Sequence, residues 1–217
     1  MTAEKNTKFA RNACTVLFSV LICLGSFMFI ALPDGIPITV QNMFAALTGL
    51  VLGGLQGAGA VGLFLLLGAA GLPVFSGCRG GLAVLQGATG GFLIGYFPAA
   101  LAGGLIIGSP LIRERKTAAF IIRLFAAACV AFGLPYLFGI PWFMAVREAE
   151  GNAQTLSQAF SAALLPFIPG DCIKIMLSCL LACVFRPLVA RLLYPDDLRE
   201  AEELLHRIES RSPHRKA

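Results

Sequence analysis

The run LAVLQGATGGFLIGYFPAALAGGLIIG, residues 82–108, contains no Asp, Glu, Lys or Arg and stops at Ser109-Pro110. About 20 apolar residues suffice to cross a bilayer as a helix, so this run predicts a membrane span. Inside it Gly87, Gly91, Gly95, Ala99 and Gly103 recur every four residues, a spacing repeated by Gly49, Gly53 and Gly57. Small residues on one helical face let backbones approach closely where lipid leaves no hydrophobic gain between helices. Both stripes therefore read as packing surfaces. Gly90-Gly91 is the one place on them where a ligand could lie close to backbone.

Five further apolar runs flank this one. Residues 13–32 end at Leu32-Pro33-Asp34-Gly35. A second run, about 40–55, follows Pro37-Ile38-Thr39-Val40-Gln41 and leads through Gly57-Ala58-Gly59 into a third, 59–72, closed by Gly71-Leu72-Pro73. Beyond the glycine-rich PVFSGCRGG of 73–81 and the run 82–108, a fifth covers about 117–139, ending near Gly139-Ile140-Pro141. The polar segment Arg147–Gln158 precedes a sixth, about 165–194. The expected fold is all-α: a single domain of six transmembrane helices over 1–195, followed by a charged tail helix over 196–217. Leu198, Ala201, Leu205 and Ile208 give that tail one apolar face. It reads as a surface or partner-docking helix, or as a solvated one.

Composition agrees. The 217 residues are 57% hydrophobic and 13% charged, and mean hydropathy is +0.80. Soluble domains run about 45–50% apolar and about 25% charged, so disorder, most cytosolic enzymes and a basic nucleic-acid module are excluded. The net charge of +5 is unevenly spread. Lys5, Lys8, Arg11, Arg113, Arg115, Lys116, Arg186, Arg191 and the tail's basic residues fall on one side of a six-span layout; Arg79 and Arg147, beside Asp34, Glu148 and Glu150, fall on the other. Basic loops stay cytoplasmic, so both termini are expected in the cytoplasm and the connections 73–81 and 140–164 outside. Seven Cys is an odd number, and nearly all lie in or beside apolar runs. They predict no disulfide framework. His206 and His214 are both in the tail, so no zinc or other metal site is expected.

The chemistry is concentrated at Pro169-Gly170-Asp171-Cys172-Ile173-Lys174. Charges in an apolar zone are costly unless paired or hydrated and default to functional candidates. Asp171 and Lys174, three apart, share a helical face. They either grip a ligand at the outer end of the last span or form a buried pair that orders packing. Arg79, among glycines, can catch an anion or be a solvated charge. Gln41, Gln86 and Thr89 stand at the outer mouth; with Phe75, Tyr136 and Trp142 they sketch an apolar cavity with a few directed polar groups. On the first span Thr15, Ser19 and Cys23 form a small-residue stripe, which either packs internally or faces a second membrane subunit.

No G-x-x-x-x-G-K-[ST] is present, so no P-loop for ATP is expected in this chain, and no G-x-S-x-G or H-E-x-x-H occurs. No cofactor is expected. The ordered set Pro37–Asn42, Gly71–Val74, Gly87–Phe92 and Pro169–Lys174 resembles the BioY family, the biotin-binding S component of energy-coupling factor (ECF) transporters, from about Gly25 to Arg191. The resemblance implies a six-helix subunit of the bacterial cytoplasmic membrane that takes up biotin with high affinity. It also implies a transmembrane T component and paired ATPases that bind the ATP. The family's PGDxxK residues line the biotin pocket, which carries over to Asp171 and Lys174. Thr89 and Phe92 fall in its G-x-T-G-G-aromatic element, and Thr15, Ser19 and Cys23 occupy the stripe through which its first helix meets the T component.

Departures from the family pattern are local. Ala88 stands for a common Pro, Phe92 for a frequent Tyr, and Leu93 where some members have Arg. Arg79 replaces a common Asn, which suggests that carboxylate recognition has moved there. The alternatives left open are a self-sufficient carrier, an S component for another small vitamin, and a structural membrane protein.

Overall fold

The computed structural model describes residues 2–30, 36–111, 114 and 116–193. Among them the helices are α1 (Thr2–Gly25), α2 (Gln41–Leu52), α3 (Gly54–Ala69), α4 (Leu82–Gln86), α5 (Gly90–Ile107), α6 (Ala118–Ala149), α7 (Leu156–Ala163) and α8 (Ile168–Leu193). Thr7–Gly25, α5, α6 and α8 are long and apolar enough to cross a membrane, and α2 and α3 are shorter apolar helices. These six make the bundle, and α4 and α7 sit in connections. Strands β1 (Phe29–Ile30) and β2 (Ile38–Thr39) pair antiparallel between α1 and α2. The turn at Pro33–Gly35, Arg113, Arg115 and the tail helix expected over 196–217 lie outside the described residues.

Helix ends follow local chemistry. Gly53, at φ 87°, reverses the chain between α2 and α3, a conformation open to glycine at little cost. Thr117 caps α6 by accepting from the Phe120 amide, and Thr155 with Gln158 forms a capping box on α7. The glycines pack, but neither stripe lies on one helix, since Gly53 is the turn between α2 and α3 and Gly87 precedes α5. A Cβ at Gly49 would lie 2.2 Å from the Ala100 carbonyl oxygen, and one at Gly95 would lie 2.9 Å from Pro135 Cα. Backbone contact of this kind holds α2, α5 and α6 together as a block.

Boundaries differ from the sequence expectation at several points. The turn expected at 57–59 falls at Gly53, because Gly57 is needed against Gly49 instead. The run 82–108 breaks at Gly87–Thr89, and the short α4 buries none of its residues. Pro141 does not end α6. A proline forfeits its own N–H but leaves the flanking rungs, and the turn beyond it buries Phe143 completely. Most unlike the expectation, Arg186 is not a loop charge: it lies inside α8 and is fully buried.

Candidate functional site

The starts of α2, α5 and α8 and the latter half of α6 converge at one end of the bundle. In the first turn of α8, Asp171 is buried, and Lys174 Nζ stands 3.2 Å from its Oδ1. Asn42, at the start of α2, bridges the pair. Its Nδ2 donates to Asp171 Oδ1 at 3.1 Å, and its Oδ1 accepts from Lys174 Nζ at 3.0 Å. From α6 the Tyr136 hydroxyl donates to Asp171 Oδ2 at 2.5 Å. A carboxylate offers about four lone-pair sites, so three donors leave it nearly but not fully satisfied.

A void of about 50 Å³ lies beside this cluster, bordered by Asn42, Tyr136 and Lys174 and walled by Phe92, Tyr96, Phe132 and Phe167. Asp171 stands one layer behind, oriented by the three side chains that touch the void or it. The Phe92 and Tyr136 rings meet edge to face, centroids 6.0 Å apart. A second void, about 40 Å³, is lined by Ser76, Arg79, Val84 and Thr89 and shares Ile36, Pro37, Thr39, Phe92 and Tyr96 with the first. Those shared residues form a thin apolar partition. Ligand sites for small organic molecules usually measure about 300–1,000 Å³, so the walls must part to admit one.

Arg79 sits on a tight bridge, Phe75 N–H to Arg79 O at 2.9 Å and Arg79 N–H to Phe75 O at 3.2 Å. Gly77 and Cys78, both at positive φ, make the reversal. Phe75 anchors it, fully buried edge to face against Phe64. Arg79 Nε donates to Ser76 O, and the residue borders the second void. Trp142, expected in the cavity wall, instead donates from Nε1 to Gly87 O at 3.0 Å and so ties α6 to the α4–α5 connection.

Asp171, Lys174 and Phe92 are thus brought together, and Thr89 and Arg79 join them across the partition. Gln41 does not line either void. It is fully buried, and its Nε2 donates to Val74 O at 2.9 Å and Ile22 O at 3.4 Å, bracing the 71–81 connection against α1. Ser19 is turned into the bundle at 1% exposure, with Thr15 and Cys23 half-buried beside it. Val16, Leu17, Val20 and Leu24 form the outward face of α1. Sequence reading missed Asn42 and gave Tyr136 only a wall role. In the sequence Asn42 is a single neutral amide at the opening of an apolar run, which sets it apart from no other interfacial polar residue.

The sequence matches the BioY family over residues 1–191. The chain belongs to the BioY family. It is similar to a Biotin transporter BioY of Rhodobacter capsulatus, 40% identical over 177 residues that cover 79% of this chain and 91% of that protein. A Biotin transporter BioY of Thermotoga maritima is 35% identical over 76% of this chain and 89% of that one. Among solved structures, the S-component for biotin from an ECF-type ABC transporter shares the fold at TM-score 0.65. It is 27% identical and covers 82% of this chain and 90% of its own. Like these BioY relatives, the chain is a multi-pass membrane protein.

Proposed function

We propose that this chain captures biotin in the joined voids and is the substrate-binding S subunit of an ECF-type transporter. The observation that carries this is the Asp171–Lys174 pair, braced by Asn42 and Tyr136, with Lys174 bordering a void with aromatic walls. Biotin combines two ureido N–H donors, a carbonyl acceptor, a thioether ring and a carboxylate on an apolar tail. The ureido head matches the polar cluster: the Asn42 carbonyl accepts and Lys174 donates at the void, and the Asp171 carboxylate behind them accepts once the walls part. Charge-assisted bonds of this kind are about twice as strong as neutral ones. The bicyclic ring fits between Phe92, Tyr96 and Phe132, and the valerate tail crosses the Ile36–Phe92 partition toward Arg79. The Arg fork suits both carboxylate oxygens.

A site that faces outward, with both termini in the cytoplasm, is supported by the basic residues Lys8, Arg11, Lys116 and Arg191, since basic loops stay cytoplasmic. Energy comes from a T component and paired ATPases, a reading supported by the likeness to the S-component of an ECF-type ABC transporter. Titrating detergent-purified protein with labelled biotin, other vitamins competing, tests the reading. Saturable binding displaced by biotin alone is expected. A preparation that is folded and does not bind biotin saturably would overturn it.

A further inference from the structure

At the end of the bundle opposite the site, Arg186 is fully buried. Its Nη1 donates to Leu50 O at 2.5 Å and Gly108 O at 3.2 Å, and its Nη2 to Gly108 O at 3.2 Å and Ser109 O at 3.0 Å. Nε donates to both Glu114 oxygens, and the Glu114 carboxylate also pairs with Nη2. Leu50 lies in the last turn of α2 and Gly108 caps α5. The cation therefore satisfies carbonyls left open at two helix C-termini, where the helix dipole favours positive charge. One side chain of α8 is clamped to the α2–α5 block.

The next residue is Pro187, inside α8. It has no N–H, so the rung to the Cys183 carbonyl is missing and the helix is weakest where the clamp holds it. The helix is peripheral: 22% of α8's apolar window is buried, against 61% for α5. Its buried face runs from Asp171 through Ser178 and Ala182 to Arg186. At 1.5 Å per residue Asp171 is about 22 Å from the joint, so a swing of about 10° moves it by about 4 Å. The site voids are too small for a bicyclic ligand as they stand. A displacement of that size carries Lys174, the α8 residue that borders the first void, away from Asn42 and widens that void.

We infer that Arg186 and Pro187 form a fixed pivot, about which the site half of α8 swings away from the α2–α5 block to admit and release ligand. Arg186 is then a positioning residue: it touches no ligand and sets how Lys174 and Asp171 meet Asn42. The inference rests on the reading of Asp171 and Lys174 as the ligand grip.

Biotin association and dissociation rates, measured on purified Arg186→Lys, Pro187→Ala and Asp171→Ala, test it. Lysine keeps the charge beside Glu114 but has three donors and no fork, so it cannot bridge both helix ends. Arg186→Lys is expected to speed dissociation about tenfold or more, with the ranking of biotin against its analogues unchanged. Pro187→Ala restores the rung without crowding, and is expected to slow association and dissociation together by about threefold or more. Purely structural roles would shift thermal stability and leave both rates of the folded fraction alone. Wild-type rates in Pro187→Ala, or in folded Arg186→Lys, overturn the pivot. If Arg186→Lys does not fold, Pro187→Ala decides alone. Unchanged affinity in Asp171→Ala would instead mark failure of the site assignment.

Discussion

The two ends of the bundle each bury an ion pair, and the pairs are built to different ends. At the far end Arg186 spends its donors on Glu114 and three carbonyls, and no void borders it among those described. At the site end Lys174 and Asp171 border or back a void, and their partners Asn42 and Tyr136 border it too. A buried pair by itself is weak grounds for function, since such pairs often add little stability and persist for packing. The presence of unfilled space and unfilled bonding capacity separates a grip from a clamp.

That contrast breaks most directly at Asp171. Asp171→Ala leaves Lys174 charged and half its partners missing, and should weaken biotin binding by about 2–4 kcal/mol, more than tenfold, in protein that still elutes as folded. Glu114→Gln is its counterpart at the clamp. It should cost about 2–3 kcal/mol of thermal or denaturant stability, yet because Arg186 keeps its bonds to the Leu50, Gly108 and Ser109 carbonyls the dissociation constant for biotin stays within about twofold. A loss of affinity there, without loss of stability, would erase the distinction between the ends.

Smaller substitutions sharpen the picture. Ser19→Trp should lower stability by about 1–3 kcal/mol through overpacking, because the site is buried. The same change at exposed Leu17 should not, as melting curves of the two variants would show. Tyr136→Phe deletes one bond to Asp171 and should reduce affinity by about tenfold or less, about 1 kcal/mol, in equilibrium binding. Arg79→Ala is the mildest. Its guanidinium is exposed, so biotin binding should fall only a few-fold, about 0.5–1 kcal/mol, and discrimination against the neutral biotin amide should shrink.

Much of this was legible in the chain because it depends on local pattern. Asp171 and Lys174 stood out as charges three apart in an apolar run, and their pairing follows from helix pitch. Asn42 did not, since one amide near a span boundary looks like any interfacial polar group until Asp171 and Lys174 arrive from 129 and 132 residues away. Gln41, its neighbour, was read as a ligand contact, but a turn of one residue along α2 points it at Ile22 and Val74 instead. Arg186 sat beside a proline near the end of the last run and so looked like a loop charge. Only the converging ends of α2 and α5 give a buried guanidinium enough acceptors.

By itself the sequence determined an all-helical membrane bundle, its small-residue seams and the charged pair, because hydropathy, helical spacing and the cost of dehydrating a charge act within one segment. The tertiary structure decided which ion pair borders a cavity and which is sealed, since that depends on what distant helices bring to the same few ångströms.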